Sequence, residues 1–160
     1  MARQISTVYQ QQPLTIIGIL TGSVVLLADL IRLLEMPLRV GVVHASSYRG
    51  TTTRGELTIN ADLMPDIRER DVLLIDDIFD TGHTLAQVTQ LIRQLGARSV
   101  RSAVLLRKEA RQEVSLVPDF VGFDIPDRFV VGYGLDYRDA YRNLSYIAAL
   151  EPQDLVDHPE

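Results

Sequence analysis

A chain of 160 residues, 46% apolar and 23% charged, is long enough to bury a sizeable core and too aliphatic to stay unfolded. Its 16 basic against 21 acidic side chains leave a formal charge of −5, which excludes a general electrostatic attraction to nucleic acid or an anionic membrane. Zero cysteines exclude disulfides, thiolate nucleophiles and thiolate-held metals, so a polyanionic ligand must be met by backbone dipoles, a few cations or a metal.

In chain order, Ala2 to Gln12 reads as a helix, and Leu14 to Leu20, an apolar run with β-branched residues, as a strand buried on both faces. Thr21-Gly22-Ser23 turns into a helix over Val24 to Leu34 that ends before Pro37. That helix is apolar around most of its circumference, which suits burial on two sides, one of them against another copy of the chain. Leu38 to His44 is a second strand, Ala45 to Gly55 a polar, glycine-flanked loop, and Glu56 to Asn60 a short strand beside it. Val72 to Asp76 is a further buried strand. The helix from Thr84 to Leu95 puts Leu85, Val88, Leu91, Ile92 and Leu95 on one face and stops at Gly96. Ser99 to Leu106 returns as a strand, followed by a charged turn from Arg107 to Glu113. Phe120–Phe123, Phe129–Tyr133 and Tyr146–Leu150 are shorter strands that read as an added lobe.

Residues 1–150 thus form one domain, and residues 151–160 an acidic tail. Strands alternating with helices define an α/β chain with a mainly parallel central sheet, whose ligands bind at the carboxyl ends of its strands. The apolar stretch Leu14–Leu34 is broken by Thr21, Gly22, Ser23, Asp29 and Arg32 and does not read as a membrane span. The N-terminus, polar through Gln12, lacks the apolar core of a signal peptide, and the expected location is the cytoplasm.

The most informative segment is LLIDDIFDTGHT, Leu73 to Thr84. A buried strand ends in Asp76 and Asp77, a third carboxylate follows at Asp80, and Thr81-Gly82-His83-Thr84 opens a helix. Amides at a helix start point outward with the positive end of the dipole, so a phosphate can sit there without basic side chains. The carboxylates suit sugar hydroxyls, a divalent cation or proton transfer. Phosphate, polyol and carboxylate together describe a phosphorylated ribose. Taken singly, Asp77 and Asp80 could be turn and capping residues; three carboxylates in five residues before T-G-x-T shift the reading toward function. Neither G-x-x-x-x-G-K-[ST] nor the dinucleotide G-x-G-x-x-G spacing occurs.

This segment resembles the phosphoribosyl-pyrophosphate (PRPP) motif of type I phosphoribosyltransferases, and the resemblance to their hypoxanthine-guanine branch runs from about Leu14 to Leu150. It implies the type I fold: a mainly parallel central sheet flanked by helices, with a small hood. About a dozen residues precede the first core strand where relatives carry a further strand and helix, so the expectation is either a reduced hood or a start upstream of Met1. The resemblance also implies that Asp76 and Asp77 hold the ribose hydroxyls and that Asp80, Thr81, Gly82, His83 and Thr84 cradle the 5′-phosphate. His83 falls at a variable position, and its side chain is assigned no chemistry. An acid at Asp80 is the mark of 6-oxopurine enzymes and implies general acid/base catalysis at N7 of the purine.

The second match is Pro118 to Tyr137, PDFVGFDIPDRFVVGYGLDY. An aromatic beside an apolar run with free main-chain groups makes a purine slot, in which Phe129 stacks on the ring and the Val130 main chain pairs with its edge. The family's base-recognition lysine falls on Lys108. An ammonium donates to an exocyclic O6 and has nothing to accept from an amino group, which favours hypoxanthine or guanine over adenine. Asp136 resembles the family's magnesium-binding acid at the base side, and Asp76 and Asp77 complete the implied Mg²⁺ set. Arg142 resembles the pyrophosphate contact, and Thr21 and Gly22 the pyrophosphate loop, although many relatives carry lysine at the position of Thr21. Ser47 and Tyr48 resemble the head of the lid that closes over the reacting centre.

The reaction so implied is Mg²⁺-dependent transfer of phosphoribose from PRPP to N9 of hypoxanthine or guanine, in a homodimer or homotetramer, with no nucleic acid or membrane partner. The alternative is an RNA-binding regulator on the same fold, which would need a basic face. A receiver domain also has paired acids after a buried strand, but the order of elements here does not match it.

Overall fold

The structure, a computed structural model, describes residues 1–47 and 57–155. Its elements are α1 (Ala2–Tyr9), β1 (Leu14–Leu20), α2 (Val24–Ile31), β2 (Leu38–Ser47), β3 (Leu57–Asn60), β4 (Asp71–Phe79), α3 (His83–Gln94), β5 (Ser99–Arg107), β6 (Phe120–Asp124), β7 (Val130–Val131) and β8 (Ala148–Ala149), with short 3-10 turns at Glu109–Arg111 and Pro152–Leu155. Six strands form one sheet in the order β3-β2-β1-β4-β5-β6; β7 and β8 form a separate antiparallel pair. Within the main sheet only the β2–β3 pairing is antiparallel.

The core is two layers on either side of that sheet, and the alternation of β4 shows why its sequence is an unbroken apolar run. Leu73 and Ile75 join Leu26, Leu27 and Leu30 of α2 and Ile5 and Tyr9 of α1. Val72 and Leu74 join Leu85, Val88 and Ile92 of α3 on the other face. Leu73, Leu74 and Ile75 are fully buried, each contributing about 1.5–3 kcal/mol. Among the described residues no helix is long and apolar enough to cross a membrane.

Several boundaries differ from the sequence expectation, each for a local reason. Helix α1 stops at Tyr9 because Gln10 takes φ 52° and its N–H closes on Ser6 O. Helix α2 ends at Ile31, three residues early, and Leu34 is still buried as the chain turns. Strand β2 runs on through Ala45–Ser47, expected as loop, because His44–Ser47 pair with Leu57–Asn60 and that ladder satisfies their backbone groups. Strand β4 does not end at Asp76. The ladder to β5 continues to Ile78 and Phe79, so the acidic pair lies inside a strand. The segment Phe120–Asp124 is not part of an added lobe but the edge strand of the main sheet, parallel to β5. The other two expected strands shrink to the two-residue pair β7–β8, which leaves a small hood after β6. Tyr48, expected in the lid, lies outside the described residues, and Ser47 is the last residue of β2.

Candidate active site

The carboxyl ends of β1 and β4 and the start of α3 surround a cavity of about 310 Å³, lined by Thr21 and Gly22, by Asp76, Asp77 and Asp80, by Thr81, Gly82 and Thr84, and by Asp136 and Arg142. Ten residues singled out from the sequence therefore meet in one place. Ser23 anchors the first loop by donating to Ile19 O at 2.6 Å, and the Leu20–Thr21 peptide is cis. Gly22 is required by a close approach, because a methyl group there would overlap the Asp77 carboxylate. Gly82 sits at φ 87°, a left-handed conformation that starts α3 and is costly for any residue with a Cβ. It opens α3 beside the cavity, which Gly82 and Thr84 both line.

Asp76 is 7% exposed. Burial, and then the charge of Asp77, pushes its carboxyl well above the usual carboxylate range. Burial raises Asp77 as well, against the Ile78 N–H, which donates to its Oδ1 at 2.8 Å, and the nearby Arg142. Two carboxylates held this dry call for compensating donors, which sugar hydroxyls or a cation would supply.

A second cavity of about 170 Å³ adjoins the first, and Asp77, Ile78, Asp80 and Asp136 line both. Its other walls are Lys108, Phe129, Val130 and Leu135, so the four expected base contacts converge. Phe129 is 42% exposed, not core, and its ring meets Tyr137 edge-on at 5.5 Å between centroids. Lys108, which in sequence sits in a charged turn, is 7% exposed. Its N–H donates to Phe79 O at 2.9 Å, which ties the lysine to the end of β4. Asp80 Oδ1 is buried, and although Arg111 Nε lies 3.0 Å away, no hydrogen-bond donor is aimed at it.

Arg142 reaches the cavity from the loop after Asp136, donating from Nη1 to Gly134 O at 2.9 Å and pairing with Asp136 Oδ1 at 3.0 Å. The expected pyrophosphate cation and the expected metal-binding acid are thus partners in the free protein. Among the described residues no three carboxylate or imidazole groups form a ready-made metal cage. Asp76, Asp77 and Asp136 do line one cavity, a set of hard oxygen donors that suits a hydrated Mg²⁺ shared with phosphate oxygens.

One residue of the implied phosphate cradle, His83, does not line the cavity. Its side chain turns away, Nε2 lying 2.9 Å from Glu113 Oε2, in keeping with a side chain assigned no chemistry. In the other direction, sequence reading missed Ile78 and Leu135 as slot walls, and missed Arg111 and Asp127, which pair with Asp80 and Lys108. Ile78 lay within the acidic motif itself and could have been found from it.

A mainly parallel sheet with an acid-lined cavity at the carboxyl ends of its strands and a smaller slot beside it is the arrangement of a type I phosphoribosyltransferase. The chain matches the phosphoribosyl transferase domain family over residues 1–138 and belongs to that family. A hypoxanthine-guanine phosphoribosyltransferase of Staphylococcus aureus is 42% identical over 154 residues, 96% of this chain and 86% of that protein. A crystal structure of a Staphylococcus aureus hypoxanthine phosphoribosyltransferase superposes with a TM-score of 0.90 at 41% identity, covering 98% of this chain and 85% of that one. A Trypanosoma cruzi hypoxanthine phosphoribosyltransferase, solved as a ternary substrates complex, gives 0.89 at 34% identity, covering 97% and 89%. Within the family the chain is an enzyme of the hypoxanthine-guanine phosphoribosyltransferase branch.

Proposed function

We propose that the enzyme transfers the 5-phosphoribosyl group from PRPP to N9 of hypoxanthine or guanine, a purine-salvage reaction. The observation that carries this reading is the convergence of Lys108, Phe129 and Asp80 on a slot that shares Asp77 with the phosphate-and-sugar cavity. The 5′-phosphate sits on the first amides of α3, with the Thr81 and Thr84 hydroxyls beside it. Asp76 and Asp77 accept from the ribose hydroxyls and stabilise the sugar as positive charge develops at C1′. The main chain of Thr21 and Gly22, with Arg142, meets the pyrophosphate.

On the base side, Phe129 stacks on the purine and Lys108 donates to O6, while the Val130 main chain meets the ring edge. The C1′–oxygen bond to pyrophosphate breaks as N9 bonds to C1′, and the proton that N7 carries passes to the Asp80 carboxylate. Asp136, with Asp76 and Asp77 in the same cavity, would hold Mg²⁺, which when bound neutralises charge on the leaving pyrophosphate.

Residues 1–150 act as one catalytic unit in this reading. Localisation in the cytoplasm and assembly as a homodimer or homotetramer belong to the same proposal, the latter supported by Val24 and Leu33, apolar and 42% and 65% exposed on and after α2. The RNA-binding alternative finds no support in the relatives, which are enzymes. The test is a PRPP-dependent assay with hypoxanthine, guanine, xanthine, adenine and uracil. Turnover of the first two, abolished by chelation and restored by Mg²⁺, is the expected result. Activity on adenine alone would overturn the roles given to Asp80 and Lys108.

A further inference from the structure

Lys108 is 7% exposed, and an ammonium that far from water needs counter-charge and acceptors. Two carboxylates face it. Asp127 Oδ1 accepts from Nζ at 3.3 Å; Asp80 Oδ2 stands 3.9 Å away, near enough for attraction and too far for a hydrogen bond. Arg111 closes the figure, with Nε 3.0 Å from Asp80 Oδ1 and Nη1 3.5 Å from Asp127 Oδ2. The four groups make a ring in which positive and negative charges alternate. Of these, Lys108 and Asp80 line the base slot, whereas Asp127 and Arg111 do not.

That division has a physical purpose. If Lys108 and Asp80 were each other's partner, the ammonium could not be given to O6 nor the carboxylate to N7, and the slot would be closed by its own reading groups. Opposite charges 3.9 Å apart in a half-dry site attract strongly, so something must hold them open. Each has a second partner on its outer side. The Lys108 hydrogen bond, with help from the charge of Arg111, holds the Asp127 carboxyl below the usual range, which keeps it ionised at neutral pH. Asp127 also sits in the Pro126–Arg128 turn immediately before Phe129. One turn therefore carries both the stacking ring and the anchor of the lysine.

We infer that Asp127 and Arg111 are positioning residues for base recognition: each neutralises one base-reading group from outside the slot, so that Lys108 and Asp80 stay apart and available to the purine. The inference rests on the reaction proposed above and adds two residues to it.

The test is steady-state kinetics on Asp127→Asn, Asp127→Glu and Arg111→Gln, the first also combined with Lys108→Ala. In Asp127→Asn the freed ammonium closes on Asp80, and KM for hypoxanthine rises roughly 10- to 100-fold, while KM for PRPP and the thermal midpoint stay at wild-type values. Asp127→Glu, which keeps the charge, recovers part of that loss. Arg111→Gln lowers kcat more than it raises the hypoxanthine KM, because its partner is the proton-handling group. Added to Lys108→Ala, Asp127→Asn changes base use by less than about twofold, its target being gone. Equal losses toward both substrates, a wild-type hypoxanthine KM in Asp127→Asn, or full additivity with Lys108→Ala would each overturn the inference. Should Asp127→Asn be insoluble, Asp127→Glu and Arg111→Gln decide it by the same split between KM and kcat. A wild-type enzyme that turns over neither hypoxanthine nor guanine would overturn the reaction itself, a separate outcome read before any variant.

Discussion

On the proposed sugar-phosphate side of Asp77 and Asp80 the cavity is shaped mostly by one contiguous run of chain; on the proposed base side it is gathered from separate elements and held by side-chain charge. The first half is almost one piece of chain, Asp76 through Thr84, joined by the Thr21–Gly22 turn, and its shape depends on two glycines and a helix start. The second is gathered from β4, the end of β5, the turn after it and the hood, and is kept open by four alternating charges. A site shaped by one contiguous run of chain tolerates little change in conformation, and a dispersed charged site tolerates little change in ionic partner. Substitutions should therefore fail differently in the two halves.

The largest effect is expected where the halves meet. Asp80→Asn removes the proposed proton acceptor at N7 and should lower kcat roughly 100-fold or more, with KM for PRPP little changed; wild-type turnover in a steady-state assay would take Asp80 out of the mechanism. Next comes the contiguous half. Gly22→Ala would push its methyl into the Asp77 carboxylate, and the displaced loop should cost about 100-fold in kcat/KM for PRPP. A variant using PRPP as well as wild type would show that the loop does not depend on the close approach of Gly22 to Asp77.

A smaller loss is expected from the base half. Phe129→Leu keeps an apolar wall but loses the stacking face, raising KM for hypoxanthine about 3- to 10-fold and leaving KM for PRPP alone. Smallest is a charge pair remote from both. Asp71 opens β4 at the end opposite the site, accepting from Arg98 Nε at 3.0 Å and Ser99 Oγ at 2.6 Å. The Arg98 hydrogen bond, assisted by Ser99, lowers its carboxyl pKa against the opposing effect of burial. A carboxyl depressed by folding stabilises above the ordinary carboxylate range, and that stability is lost as pH falls through its lowered value. Asp71→Asn should thus cost about 1 kcal/mol at neutral pH, since Arg98 is half exposed. The difference from wild type should vanish in strong acid, with kcat unchanged throughout. Denaturation followed against pH checks both parts.

The same contrast explains what was legible in the sequence. Asp76 to Thr84 could be read because neighbours in sequence remain neighbours in the site, and β1, β4, β5 and α3 could be read from apolar runs and periodicity. Arg111 and Asp127 could not. An arginine in a polar turn and an aspartate after proline look like solvated surface until the topology brings both to Lys108. The extension of β2 and the place of Phe120–Asp124 were hidden for a related reason: a strand's reach is set by the partner it pairs with, Leu57–Asn60 in one case and β5 in the other, and pairing is not written in the segment itself. Burial of Lys108 is likewise set by the turn whose backbone is tied to the end of β4 at Phe79.

The edge contact between Phe129 and Tyr137 has an optical consequence. The chain contains six tyrosines and no tryptophan, so tyrosine emission is not masked by indole. Four of the six, Tyr133, Tyr137, Tyr141 and Tyr146, lie in the stretch that follows Phe129. A purine stacked on Phe129, as proposed, would alter the surroundings of a ring 5.5 Å away, so Tyr137 is an intrinsic fluorescent reporter by which base binding at the proposed slot can be tested without label or turnover.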